Sequence, residues 1–508
     1  MSRTRNFLYN ASSSALLQIV TFIVGLITPR VMLAVYGSEI NGLISSITQF
    51  ISYFNLVEAG LSGATVYSLY KPLAENDYGK VNSIVAAAKR FYQQAGYIFV
   101  SLTFLLAVFY PLYIEVESLA LWEIGVLVLI LGVNGALEFF TLSKYRALLT
   151  ADQRTYVISI VSIFQIIVNT SIICTFAFLN INIVLTRLVA LFSIFLRSIL
   201  LMVYCKRKYS YLDYKVEPDV KSLNKRWDAL VLQILGVVHT GAPVVLITLV
   251  LKDLKIVSVY TVFNMVIAGI GNVLSVFTSG TSASFGDVIA KKEVATLQKS
   301  YKEFEFIYYS VIAVVYSITF ATIMPFVRIY TRNITDVNYN LPILGFMFVL
   351  NGLLYNLKTP QGMLVISAGL YKETKMQTIT QALIAVIGGF VLSLWLGIYG
   401  IMLASILSNL YRDIDLLFFI PKNVTKTSVV GTFKRMVTVF ACVAVSVLPV
   451  FFIKYRPGNL LTWAGFACAF GIWSVIVTLI LGLLFDRKEL KNVLMRFNII
   501  KKAGKLND

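Results

Sequence analysis

The sequence predicts an all-α polytopic membrane protein with about 14 transmembrane helices, built as two parallel six-helix lobes plus two C-terminal helices. Three observations predict it: the apolar composition, the placement of the basic residues and an internal repeat. Of 508 residues, 58% are apolar and only 14% are charged, with a mean hydropathy of +0.79. Soluble globular chains sit nearer half apolar and a quarter charged, and one core does not grow to this size in water. The surplus must face lipid. The same numbers exclude a disordered chain, a coiled coil and an ordinary cytosolic enzyme.

A spanning helix takes about 20 mostly apolar residues. Candidate spans lie near 10–36, 41–69, 93–114, 120–142, 155–178, 183–204, 228–251, 256–283, 306–327, 341–370, 378–397, 399–420, 436–453 and 462–485. The apolar run over residues 7–36 is longer than the roughly 7–15 residues of a signal-peptide core, so it reads as a retained first span. The expected organisation is an N-terminal lobe at 1–204 and a cytoplasmic linker at 205–227. A C-terminal lobe at 228–420, two extra helices at 421–485 and a basic cytoplasmic tail at 486–508 follow.

Charge placement orients these spans. Lys and Arg number 44 against 25 Asp and Glu, a net charge of +19. With the N-terminus in the cytoplasm, 33 basic residues fall in the inside segments, 7 at the outer ends and 4 within spans. That asymmetry is the positive-inside pattern. It puts both termini in the cytoplasm and accounts for the net charge without nucleic acid.

The repeat is carried by dipeptides. Ser62-Gly63 returns as Ser279-Gly280, Asn134-Gly135 as Asn351-Gly352, and Thr150-Ala151 as Ser367-Ala368 in kind, all at an offset of 217. Spans 1–6 then match spans 7–12. Six is even, so the halves have the same orientation, as in the parallel repeats of some transporters. Two corresponding connectors, 80–92 and 287–305, have helix-like apolar spacing with interspersed lysines. They read either as short amphipathic helices on the inner leaflet or as extensions of spans 2 and 8.

A central Arg or Lys costs roughly 2.5–3.5 kcal/mol on insertion scales, so such residues face a wet cavity, pair, or snorkel. Arg187 and Arg197 share span 6 and lie about 80° apart around it at roughly 100° per residue. Lys358 is mid-span 10, too deep for easy snorkelling. Arg412 has Asp413 and Asp415 beside it, which favours local pairing. Arg30 follows Pro29 in span 1 and suits either a cavity or the outer headgroups. Glu58 and Glu138 are candidate counter-ions, with proton carriage or helix packing as the other roles. His239, four residues before Pro243, is either a packing histidine or a proton-coupling group. Pro29 and Pro243 occupy similar places in the two halves and are candidate hinges, or static kinks.

The cysteines Cys174, Cys205, Cys442 and Cys468 lack metal-ligand spacing, and there is one histidine. No metal, disulfide framework, catalytic residue or cofactor is expected. Cations outnumber carboxylates in the expected interior. That suits an anionic headgroup such as a phosphate or diphosphate, which Arg grips with two parallel donors and Lys with a point charge. A lipid tail would stay in the bilayer while the head crosses. A multidrug exporter for cations, using Glu58 and Glu138, is the alternative. A membrane glycan polymerase or ligase is disfavoured because the outer connections are short, the longest being about 328–340.

Several segments resemble the Wzx-like polysaccharide-unit flippases of the multidrug/oligosaccharidyl-lipid/polysaccharide exporter superfamily. They are the opening residues 3–10 before a span with Gly25 and Pro29, and Tyr36-Gly-Ser-Glu-Ile-Asn-Gly42. The others are residues 55–63 running into Leu73-Ala-Glu-Asn-Asp-Tyr-Gly-Lys80, and Leu396-Gly-Ile-Tyr-Gly400. The resemblance implies transport of undecaprenyl-diphosphate-linked oligosaccharide across a bacterial cytoplasmic membrane by alternating access. The partners would be the lipid-linked glycan, the bilayer and other polysaccharide assembly proteins. Arg187, Lys358, Arg30, Arg197 and Arg412 would hold the diphosphate. The family often has Asp near the position of Glu58. Lipid-linked peptidoglycan precursor flippases share the architecture and remain an alternative.

Overall fold

A computed structural model describes residues 3–58, 61–219, 227–453, 456–493 and 495. Residues 220–226 of the expected linker and nearly all of the expected basic tail beyond 493 lie outside them. Among the described residues every regular element is helical. Eleven helices are long and apolar enough to cross a bilayer. The first, Leu8–Glu75, has 68 residues, which is enough for two crossings. Two expected spans are not among the eleven. One is split at Lys358, and the other carries Arg412, Asp413 and Asp415. Both of those stretches are nonetheless helical, and the chain is a multi-pass membrane protein.

The chain divides into two compact units, Met1–Ser258 and Val259–Asp508. The first holds α1 (Arg3–Phe54), α2 (Leu61–Glu75), α3 (Tyr78–Tyr113), α4 (Leu121–Leu137), α5 (Ser143–Ala151), α6 (Thr155–Phe178), α7 (Ile183–Lys208) and α8 (Trp227–Leu246). The start of α9 (Leu254–Ala290) completes it. Here α1 packs along α6, α6 along α7, and α3 along α4. Helix α1 carries the first crossing and the start of the second, with a break at Gly37, whose φ of 81° is left-handed and comfortable only for glycine. Five residues on, a Cβ at Gly42 would sit 1.8 Å from the Leu254 carbonyl oxygen. The Tyr36–Gly42 motif therefore combines a bend with a backbone-to-backbone approach. Side chains seal the same region. Asn41 donates to Ser258 Oγ at 2.7 Å, Ser46 and Thr248 hydroxyls meet at 2.8 Å, and Tyr110 donates to Ser46 at 2.9 Å.

The second unit continues α9 and adds α10 (Val294–Tyr330), α11 (Pro342–Leu357), α12 (Thr359–Ser367), α13 (Lys375–Leu383), α14 (Gly389–Leu396), α15 (Ile398–Ile420), α16 (Val429–Val447) and α17 (Leu460–Phe485). α10 packs against α11, α16 and α17. Over half of its most apolar stretch (56%) is buried in protein, so α10 is the pillar of its unit. Asp77, Asn182, Ser428 and Asn459 cap α3, α7, α16 and α17 through side-chain acceptors. The Leu396–Gly400 motif has a physical reason too. Gly397 turns with φ 57°, and a Cβ at Gly400 would lie 2.2 Å from the Leu392 carbonyl oxygen.

Element order repeats between the units. α3 and α10 have 36 and 37 residues. The broken pair α4 and α5 is answered by the broken pair α11 and α12, each ending in a nine-residue helix. Gly135 faces Phe99 of α3, and Gly352 faces Tyr316 of α10. The two connectors are helix extensions rather than separate surface helices. Residues 80–92 open α3, with Val81, Ile84 and Val85 buried; residues 287–305 end α9, turn, and open α10, with Leu297 and Tyr301 buried. Their apolar residues pack inside protein, so no inner-leaflet helix forms.

Candidate functional site

The first unit concentrates charge at the joint between α4 and α5. Between them, Glu138–Leu142 forms a π turn, which inserts an extra residue into the helical register. This brings Glu138 and Arg146 of one continuous helical rod to the same place. Arg146 Nη1 donates to Glu138 Oε1 at 2.6 Å and Arg146 Nη2 to Glu58 Oε1 at 2.9 Å. Glu58 comes from a single 3₁₀ turn after α1, and Ser143 Oγ reaches its other oxygen at 3.5 Å. Arg197 of α7 approaches Glu138 Oε2 with Nη2 at 3.6 Å. Two carboxylates and two guanidiniums thus neutralise one another. Tyr92 of α3 is buried beside them and feels both Glu58 and Arg146. Arg146 is missing from the sequence candidates because its charge belongs with the inside-segment basic residues. The signal that finds it is its spacing from Glu138 on one helix, readable only once the π turn is known.

Arg187 stands apart from that network. It lines a cavity of about 270 Å³ whose wall is part apolar, from Pro29, Met32 and Ile44, and part polar. The polar part is made of hydroxyls and amides, Thr28, Asn41, Ser45, Thr48, Gln49 and Ser52, able to donate to an anion. The Nε of Arg187 is buried without a hydrogen-bond partner. A buried guanidinium nitrogen left unsatisfied costs a desolvation penalty, and the Nε of Arg197 is in the same state; an anion in the cavity would meet the positive charge of Arg187 beside the hydroxyl and amide donors. Arg30 lies half-buried on α1, next to Pro29 in the sequence. His239 is half-buried on α8, and Pro243 sits in the same helix shortly before a π turn at Ile247–Leu251. The non-helical residue of α1 is Gly37, with Pro29 inside regular helix.

In the second unit Lys358 sits at the joint of α11 and α12. Pro360 follows immediately at the start of α12, where its missing N–H is harmless but the preceding helix cannot run through. Lys358 Nζ donates to Asn409 Oδ1 and lies 4.8 Å from the Tyr355 ring centroid. Asn409 donates in turn to Asn351 Oδ1 at 2.9 Å, and Gln381 donates to Asn409 Oδ1 at 3.3 Å. One turn beyond Asn409 on α15, Asp413 is the carboxylate whose field Lys358 feels. It is buried, and neither of its oxygens has a hydrogen-bond partner. Arg412 instead pairs with Asp415 at 2.5 Å. The amide cluster around Lys358 was not among the sequence candidates, since three amides on three helices leave no linear signal.

A further buried arginine belongs to the scaffold. Arg435 of α16 pairs with Glu305 of α10 at 2.8 Å and with Asp486 just past α17 at 2.9 Å. It fastens both C-terminal helices to the pillar of the second unit.

No family model matches the sequence, and no curated protein matches it. Solved structures do match. One titled "Lipid II flippase MurJ, inward closed conformation" aligns over 94% of this chain and 100% of its own, at 15% identity and a TM-score of 0.63. The fold is that of the MurJ and MATE transporters. An inward-facing MATE-family multidrug transporter of the MOP superfamily aligns at TM-score 0.59 with 12% identity, over 83% of this chain and 95% of its own. The MATE multidrug transporter DinF-BH aligns at 0.58 with 14% identity, over 83% of this chain and 97% of its own. These MurJ- and MATE-like proteins are transporters, and at such identities they define the architecture alone.

Proposed function

We propose that this protein is an alternating-access flippase that carries an undecaprenyl-diphosphate-linked oligosaccharide unit across a bacterial cytoplasmic membrane for polysaccharide biosynthesis. One observation carries the reading: the carboxylates Glu58 and Glu138 are neutralised by Arg146 and Arg197, while Arg187, which pairs with neither, lines a separate cavity that presents hydroxyl and amide groups and no carboxylate. Such a cavity suits a diphosphate and repels a cationic drug. Arg187 is the leading ligand. Lys358, Arg30 and Arg197 are assigned to the headgroup at other points of its passage, and Arg412 to local pairing first. The lobes run 1–204 and 228–420, joined by the basic linker, with both termini in the cytoplasm. Gly37 supplies the bend on which the first helix of the N-terminal lobe moves, with Pro29 about two turns before it as a second hinge, and Pro243 is the hinge of the first helix of the other lobe. No covalent step is involved.

The likeness to MATE multidrug transporters keeps a cation-coupled exporter as the second reading, and the MurJ fold keeps a lipid-linked peptidoglycan precursor as the second substrate. One experiment separates them. In cells lacking their own flippase, the Arg187→Gln/Lys358→Gln variant should reach the membrane at normal levels and export no glycan. Full export by that variant would remove the assignment. Efflux of a cationic dye that is lost in Glu58→Gln would support the exporter reading instead, and rescue of a strain lacking its lipid II flippase would move the substrate.

A further inference from the structure

The second unit contains a cavity that the transport reading does not use. It measures about 730 Å³, within the range of small-molecule sites. Its floor is apolar, formed by Phe320 and Met324 of α10, Phe346 of α11 and Phe466 of α17. Its rim carries two guanidiniums, Arg328 in the last turn of α10 and Arg456 in the connection between α16 and α17. Arg328 donates its Nε to Asn340 Oδ1 at 3.0 Å, which fixes the side chain and leaves the two Nη groups for another acceptor. Among the described residues no carboxylate pairs with either arginine. Two cations lining one otherwise apolar cavity, neither paired with a carboxylate among the described residues, have a matching ligand chemistry: a phosphate joined to an acyl chain.

We propose that α10, α11 and α17 hold one anionic glycerophospholipid, its phosphate between Arg328 and Arg456 and an acyl chain against Phe320, Met324 and Phe466. The charge complementarity fixes the occupant. A zwitterionic headgroup would bring its own cation to the same rim, and a free phosphate would leave the apolar floor empty. The charge asymmetry of the sequence assigns Arg328 and Arg456 to the outer end of the spans, so the lipid comes from the outer leaflet. The proposal is independent of the transported cargo, because this cavity shares no lining residue with the Arg187 cavity or the charge network of the first unit.

The test is native mass spectrometry of the full-length protein released from nanodiscs of equal phosphatidylglycerol and phosphatidylcholine. Each arginine near an anionic headgroup contributes about a factor of five, so the wild type should retain phosphatidylglycerol on the order of tenfold over phosphatidylcholine. Arg328→Gln/Arg456→Gln should lose that preference, and Arg328→Lys/Arg456→Lys should keep part of it. Met324→Trp, which fills the floor while leaving both arginines, should lower lipid occupancy. Equal retention of the two lipids by the wild type overturns the proposal. So does an undiminished preference in the double glutamine variant, or competition by soluble glycerol phosphate as strong as by the intact lipid. A thermal unfolding curve showing the wild-type midpoint establishes that each variant is folded. Glycan export should survive in the double glutamine variant, so failure here leaves the transport reading standing.

Discussion

Replacing Arg146 by Gln tests the charge network directly. Arg146 is the only described group that holds Glu58 and Glu138 together, at 2.9 and 2.6 Å. Removing one partner of a fully buried pair costs about 3–5 kcal/mol, whereas an exposed pair is worth about 1 or less. The Arg146 side chain is 34% exposed and its partners 12% and 17%, so solvent screens part of the loss. For two such contacts the expected cost is about 3 kcal/mol. In detergent this should lower the midpoint of thermal unfolding by roughly 5–10 °C, read by fluorescence-detected size-exclusion after heating. The sign follows from charge counting. Arg146→Gln leaves two carboxylates facing one guanidinium, that of Arg197. Glu58→Gln/Arg146→Gln leaves Glu138 opposite Arg197 in balance and should recover at least half of the loss. Glu58→Gln alone keeps the Arg146–Glu138 contact and should cost about 1 kcal/mol. The reasoning fails if Arg146→Gln is no less stable than Glu58→Gln, or if the double variant is as unstable as the single arginine variant.

Three further outcomes follow from the same geometry. Gly135→Ala should destabilise by about 1–3 kcal/mol, because the new methyl would meet Phe99 Cζ at 2.2 Å, whereas Gly25→Ala meets nothing within 4 Å and should be neutral or slightly stabilising by thermal unfolding. Arg435→Met should cost about 3–5 kcal/mol, since Glu305 is 2% exposed and would be left buried without its cation, and limited proteolysis should then release the C-terminal helices early. Arg187→Lys should retain partial glycan export and Arg187→Gln none, because a lysine keeps the charge but loses the planar pair of donors; equal export by the two variants would mean that charge is irrelevant at this position.

The sequence by itself determined the membrane class and the all-helical, multi-pass architecture. Those depend on composition, run length and charge asymmetry, which are sums over many residues and tolerate local error. It also picked out the polar residues that lie in apolar runs, because an intramembrane charge is rare enough to need a reason. The partners of those charges needed the tertiary structure. Arg146 joins Glu58 and Glu138 through a π turn that no periodicity announces. Lys358 donates to Asn409, which also accepts from Gln381 on a third helix, residues far apart along the chain. The connectors at 80–92 and 287–305 have the spacing of surface helices, yet continue α3 and α10, since apolar spacing states that a face is buried and not whether lipid or protein buries it. The physical reason is the range of the forces. Lipid partition acts on each segment separately and is written along the chain. Ion pairing acts over a few ångströms between segments, so it is decided only when the helices pack.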